Sequence, residues 1–138
     1  FTTNYIQLWA YEPETGENKL FKLARIGEVR IEPETWAHEE LHRKGFIDLF
    51  RISSNEQWPV KLKMSLRAAT LLTEEYPLAE KEIVRLTDNE WILETRVCSY
   101  DGIGRFVMGL TDEIDLIEPE RFKQFIRKKL KKGIKKFL

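Results

Sequence analysis

The chain has 138 residues, and its 23 basic side chains balance 23 acidic ones. Hydrophobic residues at 42% and charged residues at 33% exclude wholesale disorder and suit one average domain or two small ones. No apolar run approaches the roughly 18 residues of a membrane helix, so no membrane partner is expected.

The first segment alternates: Ile6, Leu8 and Ala10 fall on one side of a strand, with Tyr5, Gln7, Trp9 and Tyr11 on the other. Glu12-Pro13-Glu14-Thr15-Gly16-Glu17-Asn18 is a turn, because Pro presets one φ and Gly supplies a positive one. Residues 19–26 form a second strand, so the pair reads as a hairpin. Alternation puts Lys19, Phe21 and Arg25 on one face of it and Lys22 on the other. Gly27 then marks a bulge, Glu28-Val29-Arg30-Ile31 continues as strand, and Pro33 ends it. Residues 38–50 are charged, with Phe46, Ile47, Leu49 and Phe50 as a short apolar cluster read as a helical turn. The polar run Ser53 to Gln57 divides the chain into units 1–54 and 55–138.

The second unit opens with an alternating strand, Trp58 to Met64. Ser65 is the predicted N-cap of a helix that Pro77 stops. Glu82 to Leu86 and Glu90 to Val97 are strands joined by a Thr87-Asp88-Asn89 turn. Asp101-Gly102-Ile103-Gly104 is expected to break the chain before a short helix over Phe106 to Leu110 and a strand over Glu113 to Ile117. The last helix opens at Glu118-Pro119-Glu120, with Pro near its first position, and carries an apolar stripe of Phe122, Phe125, Ile126, Leu130, Ile134 and Phe137. Residues 121–138 hold nine basic side chains and no acidic one, so the balanced total is a −9 body and a +9 tail. Such a tail suits a nucleic acid, an anionic surface or the acidic body of its own fold. The order of elements is α+β, an antiparallel sheet with helices on one face.

Chemistry-bearing motifs are sparse. There is no phosphate-binding loop, and Gly102-Ile103-Gly104 lacks the third glycine of a dinucleotide motif. His38 and His42 stand at i,i+4 in His-Glu-Glu-Leu-His, which superficially matches a zinc-protease pattern, but Gly45 would cut that helix short. Cys98, the only cysteine, excludes an intrachain disulfide and a multi-cysteine metal site, and fits a reducing, cytoplasmic setting. Phe1-Thr2-Thr3-Asn4 lacks signal-peptide character, and the chain reads as a fragment or processed piece. The expectation is a binding module with no catalytic residues, no cofactor and no metal.

Lys19-Leu20-Phe21-Lys22-Leu23-Ala24-Arg25-Ile26 resembles the R-x-F-R-L-D-R-I signature of WYL-domain transcriptional regulators. The preceding Ile6 to Tyr11 sits where that family carries its Trp-Tyr-Leu stretch. Phe46 to Ile52 looks like the aromatic segment leaving the domain. Residues 58–138 are similar to the C-terminal extension these regulators carry, with Glu113 to Pro119 like its ending before the final helix. Gln7 replaces an aromatic, Ala24 stands for the family Asp, and Lys19 and Lys22 stand for arginines, which keeps charge but loses the bidentate fork. The resemblance implies a partial Sm-like or SH3-like β-barrel followed by a ferredoxin-like sheet, with DNA bound by an upstream winged-helix domain that these residues do not contain. It also implies ligand sensing, with a nucleotide or single-stranded nucleic acid as ligand.

Three readings follow. In the first, Trp9, Tyr11, Lys19, Lys22 and Arg25 bind such a ligand in the sensing and oligomerising part of a regulator, expected to be a homodimer; cations beside stackable rings suit that chemistry. In the second, the chain is a protein-interaction or dimerisation module with no small ligand. In the third, the basic tail itself binds nucleic acid.

Overall fold

The computed structural model describes residues 6–138. Tyr5, assigned above to the first strand, lies outside the described residues, as does the Phe1–Asn4 segment. The chain divides into two compact units, Phe1–Gly45 and Phe46–Leu138.

The first unit contains the expected hairpin. Strands β1 (Gln7–Glu12) and β2 (Glu17–Lys22) are antiparallel, with Trp9 opposite Leu20 and Gln7 opposite Lys22. Gly16 closes the turn at φ 70°, a conformation glycine adopts without a Cβ penalty, and its N–H donates to Glu12 O at 2.8 Å. β2 ends four residues sooner than the alternation suggests: Leu23–Arg25 is a single 3₁₀ turn. Residues 28–31 are not a strand, and Val29 and Ile31 are exposed. They alternate in sequence, but no described strand pairs with them, and alternation without a partner does not make a sheet. Among the described residues there is no closed barrel; the sheet of this unit is the two-stranded hairpin.

The second unit is α+β, with an antiparallel four-stranded sheet. Its strands are β5 (Trp58–Ser65), β6 (Ile83–Thr87), β7 (Glu90–Val97) and β8 (Ile114–Glu118), in spatial order β6-β7-β5-β8. Its helices are α1 (Leu66–Glu75), α2 (Tyr100–Met108) and α3 (Glu120–Ile134). The sequence of β5 shows why one face is covered. Val60, Leu62 and Met64 are buried, while Lys61 and Lys63 point the other way and face Glu94, Glu90 and Asp115 at 3.6–3.9 Å. The covered face joins Leu93 and Val97 of β7, Ala68, Ala69 and Leu72 of α1, Ile103, Phe106 and Val107 of α2, and Phe122 and Ile126 of α3 in one core. Each fully buried large side chain there contributes about 1.5–3 kcal/mol, against about 0–1 for an exposed ion pair, so the core holds the sheet and the ion pairs only decorate it.

Ser65 caps α1 as its type predicts, its Oγ accepting from Ala68 N at 3.1 Å. Pro119 is the N-cap of α3 rather than its first helical residue. The expected break at Asp101–Gly104 is absent: α2 runs straight through it, starting from a Ser99 cap. The glycines serve close approach. A Cβ on Gly102 would stand 2.7 Å from Phe50 Cβ, and one on Gly104 would stand 3.0 Å from Phe125 Cε1.

Residues 46–54 pack into the second unit, although the sequence boundary assigns them to the first. The expected helical turn there is a tiny hairpin, β3 (Phe46–Ile47) with β4 (Ser53–Ser54). Asp48, only 2% exposed, organises it. Its Oδ1 accepts from Phe50 N at 2.9 Å and Ile52 N at 3.0 Å, and its Oδ2 accepts from Cys98 N at 2.9 Å. Arg51 takes φ 65° at the tip of this loop. Phe50 adds edge contacts to Tyr76 and a tilted contact to Phe106.

Candidate functional site

In an antiparallel pair, directly opposed residues share a face. The register of the hairpin therefore puts Gln7, Trp9 and Tyr11 with Lys22, Leu20 and Asn18, and puts Leu8, Ala10 and Glu12 with Phe21, Lys19 and Glu17. Trp9, Tyr11 and Lys22 come together on the first face. Lys19 belongs to the second, where its Nζ pairs with Glu12 at 3.2 Å. Arg25 is exposed in the 3₁₀ turn beyond the end of β2, so strand alternation does not assign it to either face.

The loop after Pro33 contributes to the first face. Asn18 is the clamp: its Nδ2 donates to Leu41 O at 3.0 Å, and its Oδ1 accepts from Arg43 N at 3.0 Å. Both halves of the amide are used, which fixes the loop against the hairpin. Arg43 in turn donates to the carbonyls of Glu40 and His42. The loop brings His38 and His42 within 5.2 and 6.0 Å of the Tyr11 ring, and Trp36 packs edge-on to His42 at 4.6 Å. The benzenoid edge of Trp9 lies against Gly45, where an added Cβ would meet it at 2.5 Å.

His38 and His42 flank one 3₁₀ turn, Glu39–Leu41, instead of sharing the face of an α-helix, and His42 Nδ1 lies 3.2 Å from His38 O. They belong to a ring cluster. The Trp9 indole Nε1 is buried and has no hydrogen-bond partner among the described residues. Leaving a buried donor unmet costs about 1–3 kcal/mol, so this N–H is a local cost of packing the Trp9 ring against Gly45. The arrangement offers three aromatic surfaces and two imidazoles, with a cation at Lys22 toward the other end of the same face. It suits a flat, oxygen-bearing anion. His38, His42, Trp36 and Asn18 were not legible as parts of this face, because a clamp 23–25 residues away in sequence places them.

In the second unit, burial holds the Asp48 carboxyl above its ordinary range, against the lowering effect of backbone N–H groups from Cys98, Ile52 and Phe50. Burial likewise raises the Cys98 thiol, with the Asp48 charge adding to the effect. Cys98 Sγ points to Phe46 O at 3.6 Å. This pair fastens the 46–54 segment.

Residues 56–134 match the model of the WCX domain, and because the match spans more than half of the chain, the chain belongs to the WCX domain family. No curated protein matches it.

Proposed function

We propose that the chain is the ligand-sensing and oligomerising region of a bacterial-type transcriptional regulator of the WYL class, a binding module and not an enzyme. WCX is a C-terminal domain type associated with WYL regulators, and residues 19–26 resemble the WYL signature, so the order of the two units supports the reading. The ligand proposed is a nucleotide or a short single-stranded nucleic acid on the Trp9 and Tyr11 face, with Lys22 and Arg25 as its cations. The carrying observation is the strand register, which puts the Trp9 and Tyr11 rings and the Lys22 cation on one face of the hairpin. Lys19, paired with Glu12 on the opposite face, is left out of the set.

Titration of a labelled short oligonucleotide at one salt concentration tests this. Arg25→Ala should weaken binding by about 1.5–3 kcal/mol, the worth of a charge-assisted hydrogen bond, with the fold intact. Equal affinities in two folded proteins would remove Arg25 from the site. The second reading, an interaction or dimerisation module with no small ligand, draws on Leu8 and Phe21, apolar and exposed on the opposite face of the hairpin. It predicts self-association without oligonucleotide binding.

A further inference from the structure

Helix α3 divides its surface unequally. Phe122 and Ile126 are buried in the core, so its opposite face is turned away from the sheet. At 100° per residue, Arg127, Lys128, Lys131, Lys132 and Lys135 cluster on that opposite face, with Gln124 beside them and no apolar side chain among them. All five are exposed. The one acid of the helix, Glu120, lies in its first turn near Lys123 at 3.9 Å, and none of the five makes an ion pair among the described residues.

This pattern is unfavourable for the helix by itself. Arg127 with Lys131, Lys128 with Lys132, and Lys131 with Lys135 are like charges at i,i+4, which repel. The negative end of the helix dipole accounts for cations in the last turn, but not for Arg127 and Lys128. An array of this kind gains when a polyanion neutralises it. The strip from residue 127 to 135 is about 12 Å long, enough to meet several phosphates of a duplex, where each strand carries a charge about every 3.4 Å. A membrane surface fits less well, because interfacial helices insert an apolar face; Phe122 and Ile126 are buried in the core, and the exposed Leu130 and Ile134 lie beside the cationic strip and not within it.

We propose that the outer face of α3 is a sequence-independent contact for the phosphate backbone of a duplex nucleic acid. It rests on α3 alone and does not depend on the ligand reading of the hairpin. The test uses the full 138-residue chain and a labelled DNA duplex of arbitrary sequence, titrated over a range of salt. The expected slope of log affinity against log salt is about −0.9 per phosphate contacted. Replacing Lys128, Lys131, Lys132 and Lys135 together by Gln should flatten that slope by up to about 3.6, while four Lys→Arg changes should preserve it. Arg25→Ala should leave it unchanged, so the hairpin reading and this one fail separately. Absence of duplex binding at low salt, or an unchanged slope in the Gln variant, would overturn the proposal. So would an Arg25→Ala effect as large as that of the Gln variant. Tighter binding to phosphatidylserine vesicles or to polyglutamate than to the duplex would also overturn it, in favour of a membrane or an acidic protein.

Discussion

Gly102→Ala and Gly133→Ala make the same chemical change inside two helices and should have opposite signs. Alanine is favoured over glycine in a helix interior by about 0.8–1.0 kcal/mol. At Gly133 nothing lies within 4 Å of the added Cβ, so only that gain applies, reduced because the helix ends one residue later. The expectation is a stabilisation of about 0.5 kcal/mol. At Gly102 the new Cβ would stand 2.7 Å from Phe50 Cβ and 3.0 Å from Ile52 Cδ1. The first contact is the decisive one. Phe50 Cβ is attached to the backbone of a loop pinned at Phe50 N and Ile52 N by Asp48, so it cannot yield by changing rotamer. Overpacking of this kind costs about 1–3 kcal/mol, which exceeds the helix gain. Gly102→Ala should therefore destabilise by up to about 2 kcal/mol net. Urea unfolding followed by circular dichroism measures both against the parent. If Gly102→Ala were as stabilising as Gly133→Ala, the packing of the 46–54 segment on α2 would be wrong.

Asp48→Ala should cost at least about 3 kcal/mol, because three buried backbone donors lose their acceptor; an unfolding midpoint within error of the parent would show that water replaces the carboxylate. The pH dependence has a definite sign. The folded-state value is raised, so the contribution of Asp48 is fully present below the unfolded value near 3.8 and is lost as pH rises through the folded value. The stability of the parent relative to Asp48→Asn should therefore grow on acidification, and a gap that shrinks would mean that the three N–H groups outweigh burial. Cys98, buried and with its thiol shifted upward, should react with a thiol reagent at neutral pH only as fast as the second unit opens; a rate like that of a free thiol in the native protein would contradict its placement. Deleting residues 133–138 should shift stability by less than about 1 kcal/mol, since Ile134 is 59% and Phe137 is 88% exposed; outright unfolding would assign the end of α3 to the core.

Elements with a clean period were readable from sequence. Strand β5 alternates Val60, Lys61, Leu62, Lys63, Met64, and one face is buried as that pattern requires. The stripe on α3 was equally plain, and its fading from buried Phe122 to exposed Ile134 follows where the core stops. Helix α2 was hidden because local propensity argues against two glycines in one helix; the reason for them lies in Phe50 and Phe125, distant in sequence. The hairpin was visible, and its register repeats the expected split between Lys19 and Lys22. Arg25 was misplaced because a strand pattern carries no sign of where pairing ends. Asp48 gave no signal, since a buried carboxylate depends on an N–H fifty residues away.

The Asp48 loop bears on what would count as a free-standing domain. The family match begins at residue 56, but the carboxylate that caps Cys98 and the ring that covers Gly102 come from residues 48 and 50. A protein started at residue 56 would bare the Cys98 N–H and the apolar flank of α2 and Tyr76 to water. It would be expected to clump or to borrow a cover from a neighbouring copy. One started at Phe46 carries its own lid. The heritable unit recorded by sequence similarity is thus shorter than the unit that can stay dry by itself.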